Sequence, residues 1–184
     1  TSTSAITYTS SNSAVATIVS GNIHIVGAGT STITANDGTT SLQQTLTVTS
    51  AALTITASNK SKTYGAANPI LTVTYSGFVN NETNSVLTTQ PAIVTTAVTG
   101  SSVGNYPITA SGAASNNYTI SYVAGSLTVG QAALTITVNN QSKTYGSANP
   151  TLTVGYNGFV NNDTQTSLTT QPTITTTAVT GSSV

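Results

Sequence analysis

Charge is what this sequence has least of. Of its 184 residues 3% are charged, against about a quarter in an average soluble domain. Arginine is absent, the only lysines are Lys60, Lys62 and Lys143, and the only acids are Asp37, Glu82 and Asp163. A nucleic-acid partner needs several cations to displace counterions from phosphates, and three lysines balanced by three acids do not supply that field. Cysteine is absent too, which excludes a disulfide framework and fits either a reducing compartment or an exported protein that avoids thiols. No apolar run reaches the ~18 residues of a membrane span. The first residues, TSTSAITYTS, lack the basic region and apolar core of a signal peptide; because the chain is read as starting in mid-unit, that is silent on secretion. Apolar residues nevertheless make up 37% and alternate with threonine, so the chain is expected to fold.

What is present is a repeat. Ala51 to Val103 recurs from Ala132 to Val184, offset by 81 residues without a gap and identical at about three quarters of its positions. The shared words are AALTIT, SKTYG, ANP, LTV, GFVNN, LTTQP and AVTGSSV. A period of this length is one small domain in a tandem array. The second copy has no counterpart of residues 104–130, so the chain reads as a piece of something longer. Three units are expected: a partial one over 1–50, a complete repeat over 51–130 and a partial repeat over 131–184.

Within the repeat, Leu53-Thr-Ile55-Thr and Leu71-Thr-Val73-Thr-Tyr75 alternate as half-buried strands do. The copies test the phase: Ile70 becomes Thr151 and Thr74 becomes Gly155, while Leu71, Val73 and Tyr75 keep their identity. Ile93 persists as Ile174 while Ala92 and Val94 become threonine, which points Ile93 inward. Later strands are read at 106–110, 118–122 and 126–129. Between Phe78 and Leu87 the alternation fails, and NNETNSVL is read as a short helix capped by Asn80 or Asn81, with Glu82 (and Asp163 in the second copy) at its positive end. Residues 1–50 read as strands at 5–8, 14–19, 22–26, 31–35 and 44–49, with Asn36-Asp37-Gly38 as the strongest turn signal. The fold class is therefore mainly β: small β domains in tandem, a partial sandwich followed by repeats with one short helix each.

Two resemblances attach to these words. SSNSAVATIVSGNIHIVGAGTSTITA resembles the bacterial immunoglobulin-like group 2 module. KTYG, ANP, LTVTYSGFV and NYTISYVAGSLTV resemble the MBG domain, a mucin-binding, β-grasp-type module found in tandem in very large bacterial surface proteins. The second resemblance covers residues 51–130 and most of 132–184, and makes Lys62, Gly65, Asn68, Pro69, Gly77 and Phe78, with Lys143, Gly146, Asn149, Pro150, Gly158 and Phe159, the structural signature of each copy. It implies export, a bacterial cell surface and adhesion, and suggests the long adhesins that gliding Bacteroidota move over their surface. Each unit runs into AALTIT after two residues, so neighbouring units are expected to be stiffly joined, as a stalk or filament requires.

Chemistry-bearing words are few. Gly100-Ser-Ser-Val-Gly104 matches the nucleophile-elbow pattern, and Gly181 begins the same word, but no histidine follows to activate Ser102, and a turn accounts for it better. His24 lies on the outward face of a strand whose inward face is Ile23 and Ile25, with no cysteine or acid pair to complete a zinc site. Gly27-Ala-Gly29 lacks the third glycine and the helix of a phosphate loop. Three carboxylates in three units assemble neither a glycosidase pair nor a calcium cage. No catalytic residue, metal or cofactor is implied. Each repeat keeps one lysine and one acid, Lys62 with Glu82 and Lys143 with Asp163, read as a surface ion pair or, more sharply, as parts of an intramolecular isopeptide crosslink. Tyr64 and Tyr145 are the candidate glycan contacts, since tyrosine joins an apolar face to a hydroxyl; the competing reading has each plug the edge of its own core. The rows of Thr-x-Thr could instead form a flat hydroxyl array for ice or polysaccharide, but Gly155 interrupts it.

The expected function is that of a structural and adhesive repeat segment, with neighbouring repeats as partners, weak multivalent contacts to surface glycans or mucin, and lateral self-association left open by edge strands poor in charge. The alternatives are a dedicated carbohydrate-binding module centred on Tyr64 and a passive spacer in a larger secreted enzyme.

Overall fold

A computed structural model describes residues 5–182. The chain is mainly β and falls into two compact units that cut across the repeat: one comprises residues 1–59, 70–95 and 107–126, the other residues 60–69, 96–106 and 127–184.

The N-terminal segment holds β1 (Thr7–Ser10), β2 (Ala16–Val19), β3 (Asn22–Ile25), β4 (Gly29–Asn36) and β5 (Ser41–Val48). β1, β4 and β5 form an antiparallel sheet in that order, and β2 and β3 form a separate hairpin. Asn36-Asp37-Gly38 makes the β4–β5 turn as its sequence predicts: Gly38 has φ +92°, and the Asp37 carboxylate accepts the N–H groups of Thr39 and Thr40 and the Thr39 hydroxyl. Those donors, the Thr40 and then the Thr39 N–H foremost, hold the Asp37 carboxyl below its ordinary range. Inside, Val15 and Ala16 are buried beside Ser31, whose hydroxyl is satisfied by the Ser10 hydroxyl at 2.8 Å and the Asn12 N–H at 3.1 Å. The expectation for β3 fails. Ile23 and Ile25 are 50% and 48% exposed, and all four residues of the strand are exposed.

The first copy of the repeat begins with β6 (Ala51–Ala57), the central strand of a sheet in the order β11-β6-β8, where β8 is Val73–Ser76 and β11 is Tyr118–Val123. β11 runs parallel to β6 and β8 antiparallel to it. The odd-numbered face is the core face: Leu53, Ile55 and Ala57 are all but fully buried, and Leu53 and Ile55 pack with Leu87, Ala110 and Tyr118. Burying a side chain of that size contributes about 1.5–3 kcal/mol. β9 (Ala92–Thr95) pairs antiparallel with the second half of β10 (Gly104–Ser111); Ile93 is half-buried and Val94 58% exposed, as the exchange between copies predicts. In the other compact unit β7 (Lys60–Thr63), a polar strand the alternation did not reveal, runs parallel to residues 127–130 of β12 (Gly125–Gly130).

Where a helix was expected there is only a three-residue 3-10 turn, Asn84–Val86, repeated at Gln165–Ser167. Asn80 and Asn81 do not cap it, since both take left-handed backbone conformations (φ +54° and +59°); the capping oxygen is that of Thr83. The turn is clamped from outside by Gln90 of LTTQP, whose amide donates to the Asn84 carbonyl at 2.7 Å, and Gln171 does the same to Gln165. Just before it, Gly77 has φ +114°, and a Cβ there would collide with the Ala52 carbonyl oxygen; Gly158 reproduces this against Ala133. In the second copy β13 (Thr135–Val138) and β14 (Val154–Asn157) pair antiparallel, but Ile136, the counterpart of Ile55, is 42% exposed, since this sequence contains no counterparts of β10, β11 and β12 to cover it.

Leu53→Ala is expected to cost about 2–5 kcal/mol, and Gly77→Ala, strained in φ and against a carbonyl, about 1–3 kcal/mol; Thr74→Gly, which copies the second repeat, is expected to cost under about 1.5 kcal/mol. Urea unfolding of the full chain measures all three.

Candidate interaction site at the repeat joints

Two open clefts line the places where one segment of the chain meets the next. The first, about 300 Å³ and wholly within the first compact unit, lies between the β3–β4 turn and the start of the first repeat copy. Its wall is built around Asn117, just ahead of β11. The Asn117 side-chain oxygen accepts the Ala28 N–H at 3.0 Å, and its carbonyl accepts the Ala51 N–H at 2.9 Å. Ser50 and Thr119 add a hydroxyl pair alongside. Tyr118 closes the floor: its hydroxyl donates to a Glu82 carboxylate oxygen at 2.5 Å and accepts the Val79 N–H at 3.0 Å. Its ring stands edge-on to Phe78, with centroids 5.3 Å apart, and Phe78 in turn contacts Tyr75. Burial, and then the bond to Glu82, raise the Tyr118 hydroxyl above its ordinary value, which keeps it protonated and donating.

The second cleft, about 450 Å³ and wholly within the other unit, holds Tyr64 from the first copy and Val160 and Asp163 from the second. Here the signature residues act together. Lys62 donates from Nζ to the carbonyls of Val98 at 2.6 Å and Ala66 at 3.1 Å, and the Asn68 amide donates to the neighbouring Ala97 carbonyl at 2.6 Å. The Tyr64 N–H bonds to Gly130 at the end of β12, and the Ala66 N–H to Thr63 closes the turn. The Tyr64-Gly65 turn is thereby held from two sides and presented to the second copy: Gly65 has φ +83°, and a Cβ on it would stand 2.7 Å from the Val160 Cβ.

The second copy repeats the scaffold. Lys143 reaches the Val179 and Ser147 carbonyls at 2.6 and 3.4 Å, Asn149 reaches Ala178 at 2.6 Å, and Gly146 has φ +80°. What differs is the neighbour, for nothing lies within 4 Å of a Cβ on Gly146, and Tyr145 is 68% exposed while Tyr64 is half-buried.

Set against the sequence, Lys62, Lys143, Asn68 and Asn149 are the donors that fix the Tyr-Gly turns, and Pro69 and Pro150, half-buried, follow the asparagines directly. Gly77, Phe78, Gly158 and Phe159 belong to the loop after β8 and β14, with Phe159 stacked on Tyr156 at 5.5 Å. The Lys–acid pairing is not what forms: Lys62 and Lys143 sit where two backbone carbonyls converge, and Glu82 is bonded to Tyr118 instead. That leaves an isopeptide bond without its acid at Lys62. Tyr64 borders the joint cleft rather than serving only to plug its own core. Ser101 caps its own turn through the Val98 N–H at 2.8 Å, as Ser182 does for Val179, which makes Gly-Ser-Ser a turn word; Ser183 and Val184 lie outside the described residues. His24 is exposed, opposite Thr17, and among the described residues no three potential metal ligands gather. No helix among them is long and apolar enough to cross a membrane. Tyr118 was read only as the first residue of a strand and Asn117 was given no role: their partners lie 36 and 89 residues away, with no spacing signal to join them.

These features define a class, a tandem β-repeat protein whose signature residues build joints. The family itself is shown by a family model, MBG domain (YGX type), which matches residues 53–128 and 134–184, and the chain belongs to that family. Its Tyr-Gly pairs are Tyr64-Gly65 and Tyr145-Gly146. A comparison with curated proteins found no match.

Tyr118→Phe removes both the donor to Glu82 and the acceptor for Val79, and is expected to cost about 1–3 kcal/mol. Because the folded-state value is raised, the native chain's stability is complete below the ordinary tyrosine value near pH ~10 and declines as pH rises through the folded value. A urea series from pH 8 to 11.5 is expected to show this decline in the native chain and a shallower one in Tyr118→Phe.

Proposed function

We propose that this chain is a structural and adhesive repeat segment of a large exported bacterial surface adhesin, working as stalk or fibre and making weak multivalent contacts with glycans or mucin. In this reading residues 1–50 are a partial immunoglobulin-like module of group 2, 51–130 a complete MBG module and 131–184 a partial one, and the setting is extracellular, with gliding adhesins as one instance. The observation that carries it is where the signature residues are engaged: Lys62 and Asn68 are bonded to the chain's own backbone, and Gly65 is packed against Val160, so the repeat's most characteristic side chains build a joint rather than an open binding pocket. Tandem domains so joined transmit load and multiply weak surface contacts through local concentration. Family membership favours a non-enzymatic role.

One observation favours the carbohydrate-binding reading, namely Tyr145, which is 68% exposed on a turn tied down by Lys143 and Asn149. Mucin and a glycan array probed with the full chain and with Tyr145→Ala separate the two. The stalk reading expects binding that is detectable only at high surface density and is little altered by Tyr145→Ala. Binding by the monomeric chain at about micromolar Kd, lost in Tyr145→Ala at unchanged melting temperature, would replace it with a lectin-like function.

A further inference from the structure

We propose that the Tyr-Gly turn of each copy is a socket for the Gly-Phe-Val-Asn-Asn loop of the copy that follows, and that the open Tyr145-Gly146 turn takes the same loop of a further MBG module. The inference deepens the stalk reading and rests on it for the identity of the occupant.

The filled socket is at Tyr64-Gly65. Gly65 takes a left-handed backbone, and the absence of its Cβ is what lets Val160 come close; the same cleft places Tyr64 with Phe159, Val160 and Asp163, all from the loop after β14. Two independent observations make this a built surface. The turn is fixed in position by the Lys62 and Asn68 bonds to consecutive carbonyls, and the loop that enters it is fixed by Gly158, where a Cβ would strike the Ala133 carbonyl oxygen. Socket and loop are thus both rigid before they meet, which lowers the entropic cost of docking. The side-chain clamps and the glycine of the socket recur in the second copy: Lys143 and Asn149 bond to the equivalent carbonyls, and Gly146 has φ +80° against +83° for Gly65. Two things differ, the occupant and the Tyr64 N–H bond to Gly130, whose counterpart this sequence does not contain, and the exposure of the tyrosine differs with them. The occupant is therefore an MBG loop, uncharged but for its trailing acid, whose valine faces the glycine. Both loops of this chain carry GFVNN, followed by Glu82 or Asp163.

The test uses tyrosine nitration mapped by mass spectrometry. In the full chain Tyr145 is expected to react several-fold faster than Tyr64, and Val160→Asp, which drives a charge into the joint, to bring Tyr64 up to the rate of Tyr145. When the full chain is extended at its C-terminus by a second copy of residues 104–130, which only completes the second repeat, Tyr145 is expected to stay faster than Tyr64, and when it is extended by residues 104–184, which also adds a third repeat, Tyr145 is expected to slow to the rate of Tyr64. Val79→Asp, on the equivalent loop of the first copy, is expected to leave Tyr64 slow and controls for general unfolding. Equal rates at Tyr64 and Tyr145 in the full chain, or a Tyr64 rate untouched by Val160→Asp, would overturn the socket. A Tyr145 slowed by residues 104–130 alone, or unchanged in the chain extended by residues 104–184, would overturn its recurrence, and protection of Tyr145 by mucin in the latter case would give the surface to glycan. The rates report docking whether or not the protein adheres to anything, so failure of the socket and failure of the stalk reading remain distinguishable.

Discussion

Two hydrogen bonds to adjacent carbonyls carry much of this architecture. Lys62 and Asn68 stand at opposite ends of the KTYG…ANP loop and donate to Val98 and Ala97, 36 and 29 residues further on. Together they pin the loop to the distant AVTG turn, and the Tyr64-Gly65 corner between them has nowhere to move. In a chain with 3% charged residues, a lysine is most economically held by backbone carbonyls, which are available everywhere, rather than by a carboxylate, which is not. A cation–carbonyl bond is stronger than a neutral one, and its geometry is set by the backbone rather than by a second flexible side chain. That explains why the second copy retains both donors and the same pair of bonds even where Tyr145 is 68% exposed.

The legible part of the fold was the part with period two. Leu53 and Ile55 face the core as their alternation with threonine predicts, and the exchanges between copies identified the inward side of Ile93 correctly because evolution had in effect mutated its neighbours. Asn36-Asp37-Gly38 is a turn because its three residues carry the needed chemistry within themselves. The illegible part was everything set by distant partners. β7 reads KSKT, with no apolar alternation, and becomes a strand only because β12 offers a parallel edge. NNETNSVL was read as a short helix because the alternation fails there, but left-handed Asn80 and Asn81 use up the residues that would have begun one, leaving a single 3-10 turn. Ile23 and Ile25 obey alternation yet stay half exposed, since a two-stranded hairpin supplies a face and not a cover.

At the joints the sequence revealed the participants and not their work. The words KTYG, ANP and GFVNN stood out by repetition, which marks them as structural without saying what they touch. Lysine and acid in each copy suggested attraction between opposite charges, but pairing in space is decided by what lies nearer, and the carbonyls of Val98 and Ala66 are nearer to Lys62. Tyr118 and Glu82 make the converse case, in which a hydroxyl and a carboxylate with no recognisable spacing meet because β11 lies parallel to β6 and carries the tyrosine to the loop after β8.

An almost uncharged β surface also has to keep its open edges from pairing with other chains, a task usually given to lysine. In the β11-β6-β8 sheet neither edge strand carries a charge, yet each is limited in another way. β8 is four residues long and is followed at once by Gly77, whose positive φ turns the chain away before a longer edge develops. β11 is six residues long, and the hydroxyl of Tyr122 near its end accepts the Ala113 N–H at 2.8 Å, tying an adjoining loop to the strand. Length and loop anchoring thus do part of what charge does elsewhere. The same devices are independent of ionic strength, since no exposed ion pair is there to be screened among these contacts. Edges limited by backbone hydrogen bonds and glycine geometry keep their form as salt varies.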